Sequence, residues 1–538
     1  MKLNLQSLNR RDEWKALGVR LPEYDVAAMA ERTRRAPIWA HFGAGNLFRG
    51  YVAMLQQSLL NHGLADRGVI AVDTSADGEL TRRVYLPHDN LTLRIALRGD
   101  GSTDAEIAAA VAEAVRADFS DADCLSRLRE IFRSPSLQMV SFTITEKGYA
   151  LRAADDKLLP EVEADLKNGP DRAANVMAKA AALLLERFRA GALPVAMVSM
   201  DNCSRNGEKL RDAVRFIARG WIENGSAPAE FADYLADETR VSFPWTMIDK
   251  IVPRPDAEIA RQLAERGIEG MEILPRARGA AVAPFVNAET AEYLVVEDSF
   301  PAGRPPLERA GVRMTDRATV SLCERMKVTA CLNPLHTALA VLGCALGDRR
   351  ISDEMGDPAL RALAERIGAE GLRTVVHPGI LDPEAFLREL LTERLPNPSI
   401  PDTPQRIACD TSQKAPIRYG ETLKAYVAAG IPLETLTGIP LAIAGWMRYL
   451  LGVDDALSPF EPSPDPRLAE LQQALSGVEV GNPETYRGQL RPLLADETLF
   501  GLNLSNTALA EKIEHYFVSM LAGRGAIRQT LERTLKEE

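Results

Sequence analysis

Pro37-Ile38-Trp39-Ala40-His41-Phe42-Gly43-Ala44-Gly45-Asn46-Leu47-Phe48-Arg49-Gly50 runs from an apolar stretch straight into a glycine-punctuated turn. A short run of large apolar residues with few polar interruptions suits a strand buried on both faces. Glycines at its end suit a tight turn into a helix, where backbone N–H groups point outward with no Cβ in front of them. Gly43 and Gly45 meet that need, and Phe48 stands where the third glycine of a phosphate-cradling turn is usual. The stretch Gly43, Ala44, Gly45, Asn46, Leu47 and Phe48 is therefore a candidate anion cradle. A plain strand-to-helix turn is the competing reading.

Working outward, Gly68–Asp73, Leu137–Thr145 and Pro194–Met200 are further apolar runs, and Ala174–Arg189 carries helical periodicity between two of them. Strands alternating with helices predict a doubly wound parallel sheet. The second run ends in Asp73, 28 residues past Gly45. An acidic residue there can hold ribose hydroxyls and repel a 2′-phosphate, which points to NAD rather than NADP; a turn cap is the alternative. Residues 1–36 read as a polar, helical lead-in and 37–300 as the nucleotide-binding α/β domain. The Pro/Gly-rich Phe300–Pro306 reads as a linker. Residues 301–538 read as a mostly α-helical C-terminal domain, with helices expected over Met326–Leu346, Pro358–Gly368, Pro383–Glu393 and Thr507–Leu521.

The 538 residues are 46% hydrophobic and 26% charged, ordinary for a globular chain that can bury a large core. The six cysteines form no C-x-x-C pair and stand at no zinc-ligand spacing, so they read as reduced thiols and no metal site is expected. No signal-like apolar core is seen near Met1, and no run of about 18 apolar residues. With a net charge of −11, these features predict a cytoplasmic protein that binds neither nucleic acid nor membrane.

Three further groups could carry chemistry. Asn202, in Met200–Gly207 after a strand end, could donate to a ligand oxygen, although Asn and Gly there also suit a turn. Lys327, Asn333 and His336 lie within ten residues of an apolar stretch. Burial disfavours a lysine's charged form and makes it a usable base. Asn333 and His336, at i,i+3, can share a face, while Asn333-Pro334 also reads as a helix start. Finally, Asn397–Arg418 holds Asp402, Arg406, Asp410, Lys414 and Arg418 around proline-interrupted chain, either a carboxylate-binding loop or a solvated charged face.

In this order, these groups resemble the polyol-specific long-chain dehydrogenase, or mannitol dehydrogenase, family over about residues 37–525. The family signature is matched by Val241-Ser242-Phe243-Pro244-Trp245-Thr246-Met247-Ile248-Asp249-Lys250-Ile251-Val252-Pro253, with Ile248 and Lys250 as mild departures. Thr143–Tyr149 and Val295–Asp298 are further matches. The resemblance implies an N-terminal Rossmann-type domain, a mostly helical C-terminal domain and a site between them. It implies Lys327 as catalytic acid/base, Asn202 and Asn333 as oxyanion donors, and His336 as the substrate-orienting group. It also implies Arg406 and Lys414 as substrate contacts and Asp249 as a supporting aspartate. Five residues separate Lys327 from Asn333, one more than the family spacing, and a kink at Asn333-Pro334 is expected to absorb it. Within the family, His41–Asn46 and Cys331–His336 most resemble the fructuronate reductase branch.

The implied reaction is metal-free: hydride passes from NADH to the ketone of a keturonate such as D-fructuronate, giving D-mannonate, while Lys327 donates the proton. Tagaturonate/altronate and fructose/mannitol pairs fit the same motifs. An epimerase that retains NAD is the rival from another class. A monomer or homodimer acting on a small sugar acid or polyol is expected.

Overall fold

The computed structural model describes residues 1–75, 78–153, 155–276 and 281–536. The chain divides into two compact units: Met1–Arg98 with Ser102–Ser321, and Gly99–Gly101 with Leu322–Glu538.

The first unit is built on a six-stranded sheet in which every pairing is parallel. Its order is β6 (Val111–Arg116), β3 (Val69–Asp73), β2 (Trp39–Phe42), β7 (Met139–Phe142), β8 (Val195–Ser199), β9 (Val241–Ser242). The four apolar runs of the sequence are β2, β3, β7 and β8, and each is buried along its whole length, as strands covered on both faces must be. Helices Ala122–Arg133 and Val176–Arg189 bury Leu128, Phe132, Leu184 and their neighbours against one face. From β2 the chain steps outward to β3 and β6, then returns to lay β7 on the other side of β2. The order therefore reverses between β2 and β7, and ligands of open α/β sheets bind beside the carboxyl ends of strands at such a point.

Two smaller sheets complete this unit. One runs β1 (Val19–Arg20), β5 (Thr103–Ala108), β4 (Thr92–Leu97), β11 (Phe285–Glu289); the other runs β10 (Thr246–Asp249), β12 (Tyr293–Glu297), β13 (Arg313–Thr315). Through β1 and the fully buried Trp14, the first 36 residues are woven into the unit rather than leading into it. The boundary lies after Ser321, not at residue 300. Phe300–Pro306 is a turn inside the unit: beyond it Leu307 is fully buried, and β13 pairs with β12.

Among the described residues the second unit has helices and isolated bridges but no strand. Its centre is the helix Asn333–Leu346, packed against Pro358–Leu372 and Gly438–Tyr449. A Cβ on Gly445 would come within 2.7 Å of Leu342, so glycine there sets how closely two of these helices approach. Asp357 and Asp382 cap Pro358–Leu372 and Pro383–Glu389, each just before an N1 proline. One helical run, Arg317–Leu346, is long and apolar enough to cross a membrane by composition, contrary to the expectation of none. Its most apolar window is 72% buried inside the protein, as a core helix requires.

Candidate functional site

The glycine turn leaves β2 at the reversal point. Gly43 has φ +101°, and a Cβ there would lie 2.0 Å from the carbonyl oxygen of Thr143, so only glycine fits. A Cβ on Gly45 would meet nothing within 4 Å. That leaves an open backbone approach at the start of the helix beginning at Asn46, as a pyrophosphate requires. Phe48, at the missing third glycine, is fully buried and stacks on His41 with ring centroids 4.2 Å apart. Helix and strand are thus joined by two rings rather than by close backbone contact. Arg49, buried one residue on, donates to Ala283 O (2.7 Å) and to Asn46 Oδ1 (2.8 Å), fixing the first helical turn.

The His41 ring is held beneath the turn. The Thr143 hydroxyl donates to Gly43 O (3.0 Å) and so accepts from His41 Nε2 (2.8 Å). Ser141 Oγ accepts from Trp39 Nε1 (2.6 Å), which leaves its proton for His41 Nδ1 (2.6 Å). Complete burial pushes the His41 pKa from 6.5 down to about 3, against a backbone hydrogen bond to Gly43 that acts the other way. The unfolded chain therefore binds a proton below pH 6.5 that the folded chain refuses, so this stability is present above pH 6.5 and lost as pH falls toward 3. Between pH 7 and pH 5 the loss should be about 2 kcal/mol. In urea unfolding, the stability gap between wild type and His41→Asn should narrow by that amount over this range; a constant gap would contradict a buried neutral imidazole.

Asp73, buried at the end of β3, accepts from Ser75 N (3.0 Å) and Oγ (2.6 Å) on one oxygen. On the other it accepts from Thr81 N (2.9 Å) and Oγ1 (3.1 Å). Its four lone-pair positions are thus engaged by Ser75 and Thr81.

After β8, Asp201 accepts from the backbone N–H groups of Ile144 (2.9 Å) and Thr145 (2.8 Å) and from the Tyr149 hydroxyl (2.6 Å). Burial pushes its carboxyl above the usual range, and these three donors oppose that. The bonds hold Thr145 at φ +64°, ψ 159°, a conformation a β-branched residue rarely adopts. Asn206 is fully clasped: its Nδ2 donates to Asp201 O (3.0 Å) and Thr246 Oγ1 (2.8 Å), and its Oδ1 accepts from Thr246 N (3.0 Å). A Cβ on Gly207 would lie 2.6 Å from Phe243 O. The motif Val241–Pro253 therefore docks onto the turn after β8, and Asp249 is buried at the end of β10. Asn202 stands exposed on that turn. Sequence reading took Asn206 and Gly207 for turn residues; their partners, some forty residues away, carry no local signal.

In the second unit, Lys327 is 1% exposed and lies in a π-helical turn, Met326–Cys331. Leu332 N donates to Lys327 O (3.0 Å), an i→i+5 bond that inserts one residue before the α-helix resumes with His336 N to Leu332 O. The departure from α-helical spacing between Lys327 and Asn333 thus lies in this turn, ahead of the Asn333-Pro334 step where a kink was expected. A Cβ on Gly371 would lie 2.6 Å from Ala330 O, so glycine lets the helix Pro358–Leu372 close on the turn. Asn333 is the first residue of the following α-helix. The His336 Nε2 is sealed from solvent without a formed hydrogen bond, 3.5 Å from Asp402 Oδ2.

Asp402 also accepts from Arg406. Burial raises the Asp402 carboxyl, but His336 and Arg406 together outweigh it and hold it below the usual range. Arg406 itself is largely exposed. Lys414 Nζ donates to Ile407 O (3.0 Å) and Cys409 O, and burial lowers its pKa, aided by the charge of Arg418. Thus His336, Asp402 and Arg406 form one linked group; the sequence named Asp402 within the charged loop but not its link to His336. Among the described residues no cluster of His, Cys, Asp or Glu could hold a metal ion. A cavity of about 950 Å³, lined by Tyr149, Arg152, Phe216 and Leu235, contains none of the glycine turn, Asn202, Lys327, Asn333, His336, Arg406 or Lys414, so volume is no guide to the chemistry here.

The mannitol dehydrogenase Rossmann domain matches residues 38–309 and the mannitol dehydrogenase C-terminal domain matches residues 320–521. The chain is 49% identical to a D-mannonate oxidoreductase of Thermotoga maritima over the whole of both chains. It is 30% identical to the D-mannonate oxidoreductase of Escherichia coli over 85% of this chain and 87% of the relative. A Pseudomonas fluorescens mannitol 2-dehydrogenase, solved with NAD and D-mannitol, superposes with a TM-score of 0.72 at 27% identity, covering all of both chains. With both of its units matched in order, the chain belongs to the mannitol dehydrogenase family of oxidoreductases.

Proposed function

We propose that the chain interconverts D-fructuronate and D-mannonate with NAD(H), without a metal. The observation that carries this reading is the buried Lys327 on a π-turn that feeds directly into Asn333 and His336. The turn inserts one residue between Lys327 and Asn333, which would let the three side chains take the relation that the family's shorter spacing gives in regular helix. The relative named for D-mannonate, similar over its full length, supports the substrate class. The NAD in the mannitol 2-dehydrogenase complex supports the cofactor.

In the first unit, the backbone from Gly43 to Phe48 would hold the pyrophosphate, with Gly45 providing the open approach. The charge of Asp73 disfavours a 2′-phosphate even while its oxygens bond Ser75 and Thr81. NADH, when bound, supplies the hydride. In the second unit, Lys327 gives a proton to the substrate oxygen in the reducing direction and takes it back in the oxidising one. Asn333 donates a hydrogen bond to that oxygen as charge develops, and Asn202, on the turn after β8, is proposed as a further oxyanion donor. His336 orients the substrate, with Asp402 Oδ2 3.5 Å from its Nε2. Arg406 and Lys414 contact the substrate's oxygens, and Asp249 supports the network. The protein works in the cytoplasm as a monomer or homodimer, and its net charge of −11 argues against general nucleic-acid binding.

The test is NADH oxidation by exhaustively chelated enzyme with D-fructuronate, D-tagaturonate and D-fructose. D-fructuronate should give the highest kcat/KM, with NADH preferred to NADPH. Faster turnover of D-fructose, or activity restored only by zinc, would overturn the reading.

A further inference from the structure

Arg418 lies on a second π-turn, Pro416–Gly420, which packs against the one that carries Lys327. The Tyr419 hydroxyl donates to Pro334 O (3.2 Å) and the Thr422 hydroxyl to Thr329 O (2.9 Å), so the chain just after Arg418 is tied to the Lys327 turn and to the helix that follows it. The Arg418 guanidinium donates to Thr337 Oγ1. Thr337 directly follows His336, and its hydroxyl proton goes to Asn333 O (3.0 Å). Arg418 is thereby fixed, through one hydroxyl, to the helical turn that carries Asn333 and His336.

Its charge is not compensated. Among the described residues no carboxylate pairs with Arg418, and burial pulls its pKa down to about 10. The neighbouring cations are committed elsewhere: Arg406 to Asp402, Lys414 to two carbonyls. Arg418 is half-buried; Arg187 is fully buried, but four carbonyls hold it. Arg49, Arg187 and Arg448 each have a guanidinium nitrogen sealed in protein without a partner, whereas Arg418 has none. A guanidinium has five N–H groups in a planar fork that matches a carboxylate two-to-two. With one nitrogen spent on a hydroxyl, the fork of Arg418 keeps donors for an incoming anion.

We infer that Arg418 grips the carboxylate of the sugar acid and sets the preference for uronates over neutral ketoses. This rests on the keturonate reading above. It assigns the carboxylate to a guanidinium with a single protein hydrogen bond, to the Thr337 hydroxyl, and leaves the substrate's other oxygens to Arg406 and Lys414.

The experiment compares wild type, Arg418→Gln, Arg418→Lys and Arg406→Gln, each as the full chain, for kcat and KM with D-fructuronate and D-fructose at saturating NADH. Arg418→Gln should lower the uronate-to-fructose ratio of kcat/KM by roughly 100-fold, mostly through KM. Arg418→Lys keeps the charge without the fork and should lower it by about tenfold. If the glutamine variant does not fold, the lysine variant decides. An unchanged ratio would overturn the inference, as would equal losses on both substrates, which would mark Arg418 as a support for Thr337. An equal or larger fall for Arg406→Gln would overturn it as well. Wild type that reduces no uronate would defeat the keturonate reading and this inference with it. Wild type that reduces D-fructuronate, with variants that keep its ratio, would defeat this inference alone.

Discussion

Lys327→Ala should lower kcat by roughly 10²- to 10⁴-fold while leaving NADH affinity nearly unchanged. The lysine is 1% exposed, and its turn is closed by Gly371 against Ala330, so water cannot readily stand in for the missing amine. A general acid absent from its post slows proton delivery in the transition state, which reads out in kcat. The proposed cofactor cradle, Gly43–Phe48, belongs to the other unit and should not register the change. Pre-steady-state reduction at saturating substrate separates the two effects. An alanine variant that keeps most of its kcat would remove Lys327 from the chemistry.

The second large effect is a contrast between two glycines of one turn. Gly43→Ala places a methyl group 2.0 Å from Thr143 O and 2.7 Å from its carbonyl carbon, at φ +101°. Both atoms belong to the backbone leaving the adjacent strand, which cannot move without breaking the Thr143 N to Phe42 O bond (2.8 Å). A loss of about 4 kcal/mol or more is expected, enough to leave much of the protein insoluble. Gly45→Ala adds a methyl group to open space, so melting should hold within a few degrees. NADH affinity should nevertheless fall by at least about tenfold, because the methyl group then fills the approach to the phosphates. Expression, thermal melting and NADH titration of the two variants check this. A stable Gly43→Ala, or a Gly45→Ala that binds NADH as wild type does, would contradict the geometry.

How far the sequence discloses this molecule depends on whether a feature is local. Strands β2, β3, β7 and β8 were legible because parallel strands buried on both faces are unbroken apolar runs. The pair β4 and β5 was not, since Thr103–Ala108 mixes exposed and buried positions and belongs to a small mixed sheet. The glycine turn could be read from its spacing, but the His41–Phe48 stack that replaces the third glycine could not. Phe300–Pro306 carries the composition of a linker, yet β13 pairs beyond it and draws it into the first unit. Lys327, Asn333 and His336 were visible as a cluster. The π-turn that adjusts their register has no compositional mark, because it differs from an α-turn only in which carbonyl an N–H selects. Arg418 stood in the quoted loop, but its partner Thr337 lies 81 residues earlier, and only the fold joins them.

The central claim is net hydride transfer to the ketone of a sugar acid, and isotope transfer tests it most directly. Chelated enzyme is incubated with stereospecifically 4-deuterated NADH and D-fructuronate, and the product is analysed by mass spectrometry. The prediction is one deuterium on the carbon that was the ketone of D-fructuronate, with one NADH oxidised per D-mannonate formed. A sugar-acid product without deuterium, formed with no net loss of NADH, would instead establish an epimerase that retains its cofactor.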